Sequence, residues 1–133
     1  MLLGFKKRFV PNIENGSKCQ TVRETPKRMP KVGETLYMYT GLRTKNCALI
    51  TKEHTLKSTQ DIKMIFTWHV KDKCHYPRIW VDGRMLNTKE GNDFMIRDGF
   101  TDESDFVSFW KDLRSGKDAQ FIGILIHWTA FKY

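Results

Sequence analysis

The 133-residue chain has few cysteines, and their spacing excludes two classes of small protein. Cys19, Cys47 and Cys74 are odd in number and form no CxxC pair, which argues against a disulfide scaffold and against a zinc knuckle. The dipeptide at 74–75 is Cys-His, but no second closely spaced ligand pair follows it. We therefore expect reduced thiols in or near the core, with no metal and no cofactor.

Long apolar runs are also missing. The most apolar stretches, "FIGILIHW" and "IFTWHV", are far shorter than the ~20 residues that a membrane-spanning helix needs. The chain starts "MLLGFKKRF", with its cations after the apolar residues, whereas a signal peptide has the opposite order. These features predict a soluble, cytoplasmic protein with no membrane partner.

Acidic residues are scarce in the first two-fifths of the chain. Residues 1–52 contain eleven Lys and Arg but three Asp and Glu, and the two signs cancel in the remainder, so this region accounts for the whole net charge of +8. A basic surface of this kind favours an anionic partner such as a nucleotide or a nucleic acid. The alternative is a basic surface that only keeps the protein soluble.

The apolar pattern predicts one domain over residues 1–133, of the α+β class. About six strands are expected, and two or three short helices. The strands are predicted at 2–10, 18–23, 35–41, 47–57, 62–71 and 120–131. The helical segments are predicted at 11–16, 88–100 and 103–114, the last with Phe106, Phe109 and Trp110 mostly buried. Asp82-Gly83, between two apolar runs, predicts a two-residue hairpin turn. The absence of regular βαβ alternation favours a curled sheet or a small barrel.

The segment "GSKCQTVR" at 16–23 concentrates chemically active residues. Lys18 can act as a base once burial removes its proton, and Thr21 is a nucleophile that needs such a base. Arg23 can hold an anion or a base edge, and Gly16 permits a close approach. In a regular strand, Lys18 and Thr21 point to opposite faces. They would therefore meet only if the chain is irregular near residues 17–19.

Several motifs together resemble one known family. G-x-K-x-x-T-x-R at 16–23 is followed by "PKVGETL", "YTGLRTK", "VDGRML", "RDGFTDESDFVSFW" and a terminal "IHWT". This series resembles the ASCH domain, a branch of the PUA-like superfold, over roughly residues 3–130. It is most similar to the small ASCH proteins common in bacteriophages.

The resemblance implies a small PUA-like β-barrel flanked by helices, with a cleft lined by the 16–23 segment and RNA or nucleosides as ligands. One branch is an amidohydrolase that removes the acetyl group from N4-acetylcytidine with a lysine, a threonine and a carboxylate. By position, Lys18 and Thr21 match the first two, and Asp98 falls where that branch has a glutamate. The expected function is binding of a nucleoside, nucleotide or RNA, with hydrolysis of an N4-acylated cytidine as the enzymatic hypothesis. The alternatives are a non-catalytic RNA-binding module or, following another branch of the family, a ribonuclease.

Further residues are candidates for binding a nucleic acid. Tyr37 and Tyr39 share one face of a predicted strand and are suited to stacking on bases. The remaining candidates are cations in two predicted loops, or solvated surface charges, and comprise Lys27, Arg28, Lys31, Arg43 and Lys45. Trp110, at helical spacing with Phe106, is predicted to belong to the core.

Overall fold

The structure is a computed structural model that describes residues 1–110 and 112–133. The described residues form three α-helices, one short 3-10 helix at Lys7–Phe9 and eight strands. The helices are α1 (Val10–Glu14), α2 (Thr88–Arg97) and α3 (Glu103–Phe109). The strands are β1 (Leu2–Phe5), β2 (Gln20–Arg23), β3 (Thr35–Thr40), β4 (Ala48–Thr55), β5 (Ser58–His69), β6 (Cys74–Val81), β7 (Arg84–Met85) and β8 (Ala119–His127).

The strands form two sheets. One has the order β1-β3-β4, and the other has the order β2-β8-β5-β6-β7. β1 and β3 are parallel, whereas every other pair is antiparallel. The α+β class is therefore confirmed, but the described strands do not close into a barrel. The physical reason lies in the strand pairing. β2 pairs with β8, whereas its neighbours in sequence, β1 and β3, pair with each other, so none of the described strands joins the two sheets.

The Asp82-Gly83 turn is confirmed. It connects β6 to β7, with Trp80 opposite Met85 and Val81 opposite Arg84. Both turn residues have positive φ, 48° and 79°. This is the backbone that a two-residue hairpin turn with matching twist requires, and Asp-Gly adopts it readily.

Several predicted element ends differ from the observed ones, and the two largest differences are at the ends of the first strand and of α3. The first strand stops at Phe5, and a 3-10 helix leads into α1, which has Pro11 in its first turn, where a missing backbone N–H costs nothing. Helix α3 follows its N-cap Asp102, whose side chain accepts a hydrogen bond from the Asp105 amide at 2.8 Å. The helix ends at Phe109 rather than at 114. One residue of the predicted 103–114 helix, Lys111, lies outside the described residues.

The core is shared by both sheets and the helices. Its largest fully buried side chains include Phe66, Phe94 and Phe106, and the Phe66 and Phe106 ring centroids lie 6.2 Å apart. All three cysteines are free: Cys19 is buried and Cys74 half-buried, but Cys47 is exposed, contrary to the expectation of a core position. Within the described residues, no helix has both the length and the apolar character to cross a membrane.

Candidate functional site

A cavity of about 480 Å³ lies where β1, β2 and the C-terminal ends of α2 and α3 meet. Its volume is within the range of small-molecule sites. Lys18, Thr21, Arg23 and Asp98 all line it, although Asp98 is 80 residues from Lys18 in the chain. These four residues, each a site candidate from the sequence, therefore line one cavity.

An irregular segment at residues 17–19 brings Lys18 and Thr21 to the same cavity. The Lys18 amide donates to the Asn12 carbonyl at 2.9 Å, and the Cys19 amide donates to the Arg97 carbonyl at 3.0 Å. β2 begins only at Gln20. Because residues 17–19 do not alternate as a strand does, Lys18 and Thr21 escape the opposite orientation that a regular strand would impose.

Lys18 is the most enclosed cation of the cavity, with 2 % of its surface exposed. Its Nζ donates to the backbone carbonyl of Asp98 at the C-terminus of α2 and lies 3.6 Å from Asp98 Oδ1. The ring centroid of Phe9 is 4.7 Å away. Burial lowers the Lys18 pKa, and the like charge of Arg23 lowers it further, whereas Asp98 opposes both effects.

Asp98 is also buried, and its Oδ1 accepts no hydrogen bond from the described residues. Burial raises the pKa of its carboxyl group, against the opposing effects of Lys18 and Arg23. Both shifts favour the uncharged forms, an amine on Lys18 and a carboxylic acid on Asp98. Because the two groups are in contact, they titrate as a coupled pair.

The side chain of Arg23 is held in place by protein contacts. Its Nη2 donates to the Gly4 carbonyl at 2.7 Å, and its Nε donates to Thr21 Oγ1 at 3.2 Å. Its guanidinium carbon lies 4.9 Å from the ring centroid of Phe5. Burial lowers the Arg23 pKa, but a guanidinium titrates so far above neutrality that it keeps its charge. Thr21 therefore has a fixed cation against its hydroxyl oxygen.

The glycine that shapes this site is Gly99, not the predicted Gly16. Gly99 has a φ of +100°, and a Cβ there would lie 2.8 Å from Phe9 Cδ1 and 3.0 Å from Lys18 Cδ. Gly16 lies in an exposed turn after α1, and a Cβ there would meet nothing within 4 Å. A glycine just after a helix is a known stop signal, but the helix predicted over residues 88–100 extended past Gly99, whereas α2 ends at Arg97. The sequence did not reveal that Lys18 packs against Gly99.

Aromatic side chains form the walls of the cavity, and the sequence did not predict this. Phe5, Phe9 and Phe100 are buried in the wall, whereas Phe109, Trp110 and Phe121 are half-buried in it. The prediction that Phe106, Phe109 and Trp110 are mostly buried is confirmed, since Phe106 is fully buried and the other two rings are partly buried against the core. Helix α3 ends at Phe109 and the backbone of Trp110 is extended, which leaves both rings at the cavity. Rings so placed can stack on a planar ligand.

The other predicted binding residues do not line the cavity. They are Gly16, Lys27, Arg28, Lys31, Tyr37, Tyr39, Arg43 and Lys45. The cations among them lie in two exposed loops, residues 24–34 and 41–47, which we call the basic loops. Each basic loop reaches the cavity at one residue, Glu24 or Leu42. Arg28 also pairs with Glu34 at 3.1 Å, which offsets its charge.

Comparisons with protein-family models, with curated proteins and with solved structures found no match to this chain. Among residues 1–110 and 112–133, no group of three or more His, Cys, Asp and Glu side chains is placed to hold a metal ion.

Proposed function

We propose that the cavity binds a nucleoside, or one nucleotide of an RNA, and hydrolyses an amide on its exocyclic nitrogen, with N4-acylated cytidine as the substrate class. One observation carries the proposal. A buried lysine with a lowered pKa and a buried carboxyl group lie in an aromatic cavity that also presents a threonine hydroxyl and an arginine. Perturbed titratable groups in a cavity of this size are typical of catalytic sites.

The cavity suits a planar, polar ligand. Half-buried rings of Phe109, Trp110 and Phe121 offer faces on which a pyrimidine can stack. Lys18 and Arg23 can donate hydrogen bonds to carbonyl oxygens of a base or of an acyl group. A ligand of this kind fills an apolar cavity while its few polar atoms meet the polar residues between the rings.

Each catalytic residue has a defined role in the proposed reaction. The neutral Lys18 amine takes the proton of the Thr21 hydroxyl, and Thr21 Oγ1 attacks the acyl carbon. Arg23 stabilises the negative charge that develops on the acyl oxygen. The C–N bond then breaks, and the leaving amine takes the proton from Lys18. Water, activated by the same lysine, hydrolyses the threonine ester and restores the enzyme.

Asp98 acts on the lysine in this scheme. Its carbonyl anchors the Lys18 ammonium, and its carboxyl group stabilises the protonated lysine after each proton transfer. The resemblance to the ASCH amidohydrolase branch supports the same assignment, since Lys18, Thr21 and Asp98 occupy its three motif positions. The ASCH relationship is itself part of the proposal.

A direct assay tests this function. The protein is incubated with N4-acetylcytidine, free and within an RNA oligonucleotide, and cytidine release is followed by chromatography; we expect catalytic turnover. N4-propionyl- and N4-benzoylcytidine then measure how large an acyl group the cavity accepts. Binding without turnover of any of these compounds would favour the non-catalytic module, and cleavage of the oligonucleotide would favour the ribonuclease.

The pH dependence of kcat/KM provides a separate prediction. The active Lys18 is deprotonated, so activity should rise with pH and level off below the range where an ordinary lysine titrates, because burial lowers its pKa. Arg23→Met removes a charge that lowers this pKa, so the rise should move to higher pH. Asp98→Asn removes a charge that raises it, so the rise should move to lower pH. Measurements of kcat/KM at a series of pH values locate the rise for the wild type and for both variants. If the two substitutions moved the rise in the same direction, this would contradict Lys18 as the base.

A further inference from the structure

The outer face of the three-stranded sheet carries a cluster of exposed apolar and aromatic side chains. Tyr37, with 38 % of its surface exposed, and the half-buried Tyr39 project from β3, while Leu36, Met38 and Thr40 point inward and are buried. Tyr37 lies opposite Leu2 on β1, and Tyr39 lies opposite Leu49 on β4. Both leucines are exposed. We call these residues, Leu2, Tyr37, Tyr39 and Leu49, the tyrosine face. Contiguous surfaces of this type mark interaction sites more often than scattered apolar residues do.

The charges around the tyrosine face complement a polyanion. β3 runs directly between the two basic loops, since residues 24–34 precede it and residues 41–47 follow it. The loops contain exposed Lys27, Arg28, Lys31, Arg43 and Lys45. Of the acidic residues in these loops, Glu34 binds Arg28 and the N-terminal amine, and Glu24 is exposed at the cavity. On the neighbouring strand β4, the exposed Lys52 and Glu53 carry opposite charges.

The tyrosine face is continuous with the cavity. Gly4 lies opposite Tyr39 in the β1–β3 pair and also lines the cavity. Leu42, in the second basic loop, lines the cavity too, and it packs on Gly4, whose added Cβ would lie 3.3 Å from Leu42 Cβ. Because neighbouring strands are about 4.8 Å apart, Tyr39 is one strand from the cavity wall.

We propose that the tyrosine face binds a single-stranded polynucleotide, with bases stacked on Tyr37 and Tyr39 and phosphates held by the basic loops. Alternate residues of a strand are about 6.6 Å apart on one face, so the two rings receive successive bases of an extended chain. The same path leads towards Gly4 and the cavity, where one nucleotide would enter. Only this last step rests on the proposed function; binding on the sheet does not.

Tyrosine substitutions test the proposal. The full chain is titrated into a fluorescently labelled oligouridylate of about ten nucleotides, within the usual site size, and anisotropy reports Kd. Tyr37→Ala and Tyr39→Ala should each weaken binding about tenfold, the usual effect of losing one stacked ring. Tyr37→Phe and Tyr39→Phe keep the ring and should bind as the wild type does. Tyr76→Ala is the matched control, because Tyr76 is 40 % exposed but belongs to β6 of the other sheet.

The phosphate contacts are tested by salt. Log Kd should vary linearly with log salt concentration, and the double variant Arg43→Ala, Lys45→Ala should lower the slope by about 1.4 if each cation neutralises one phosphate of the single strand. A single-stranded deoxyoligonucleotide of matching sequence shows whether the 2′-hydroxyl matters, and a duplex of the same length is the negative control.

Three results would overturn the proposal: no binding by the wild type to RNA or DNA single strands, equal binding to the duplex, or equal effects of the Tyr37, Tyr39 and Tyr76 alanine variants. The rate of hydrolysis of free N4-acetylcytidine distinguishes polynucleotide binding on the tyrosine face from catalysis in the cavity. The Tyr37 and Tyr39 variants should leave this rate unchanged. Tyrosine-dependent binding without any hydrolysis would reject the amidohydrolase and retain the polynucleotide site.

Discussion

Replacing Lys18 with methionine should lower kcat/KM for N4-acetylcytidine by at least about a hundredfold, the usual minimum contribution of a positioned general base. Methionine is unbranched and apolar, so it can occupy the space of the Lys18 side chain beside Phe9 without adding a titratable group. Lys18 is buried against Asp98, and no exposed lysine can substitute for it in that position. Steady-state kinetics of the purified variant measure the effect.

The same substitution should destabilise the fold near neutral pH. It leaves the Asp98 carboxyl group buried without its partner, and breaking a buried ion pair costs about 3 kcal/mol at the lower end of the usual range. The lower end applies because Arg23 remains as a nearby cation. Burial raises the pKa of Asp98 above its unfolded value, so folding favours the protonated acid. The free energy of unfolding of the variant should therefore recover as the pH falls through this raised pKa.

The double variant Lys18→Met, Asp98→Asn separates catalysis from stability. It removes both charges, so denaturant unfolding near neutral pH should show more stability than Lys18→Met alone, while activity stays lost. Wild-type-like kcat/KM in the double variant would show that Lys18 is not the base. Equal stability of the single and double variants would show that Asp98 is not an uncompensated charge.

Gly99→Ala should destabilise the protein by about 3 kcal/mol and reduce activity as well. An alanine at a φ of +100° is strained, and its Cβ would overlap Phe9 and press on the stem of Lys18. Phe9 contacts the rings of Phe100 and Phe109, so it has little room to move. Chemical denaturation measures the stability, and kcat measures whether Lys18 has been displaced.

Gly16→Ala is the matched control, because Gly16 also has positive φ, +83°, but its Cβ would enter open space. Its cost should be the backbone strain alone, about 1 kcal/mol, with kcat unchanged. Equal losses of stability and an unchanged kcat in both alanine variants would contradict this prediction. They would mean that Phe9 and Lys18 move to accommodate the new Cβ, and that the packing around Gly99 does not position the lysine.

The local elements of this protein were predictable from its sequence because their causes are local. Asp82-Gly83 favours positive φ at two adjacent residues, which creates the turn whatever packs around it. Asp102 caps α3 through an amide three residues later. The basic character of residues 24–34 and 41–47 follows from their composition, since loops with prolines, glycines and cations stay at the surface.

Tertiary structure alone decided which side chains meet. Lys18 reaches Asp98 because an irregular segment turns it towards the end of a helix that is 80 residues away in the chain. Phe109 and Trp110 reach the cavity because α3 stops at Phe109. Tyr37 and Tyr39 lie away from the cavity on β3, which pairs with β1 and not with β2. Turn chemistry and strand alternation act between near neighbours. The choice of strand partner depends on the burial of apolar surface from the whole chain, so no short segment of this sequence determines it.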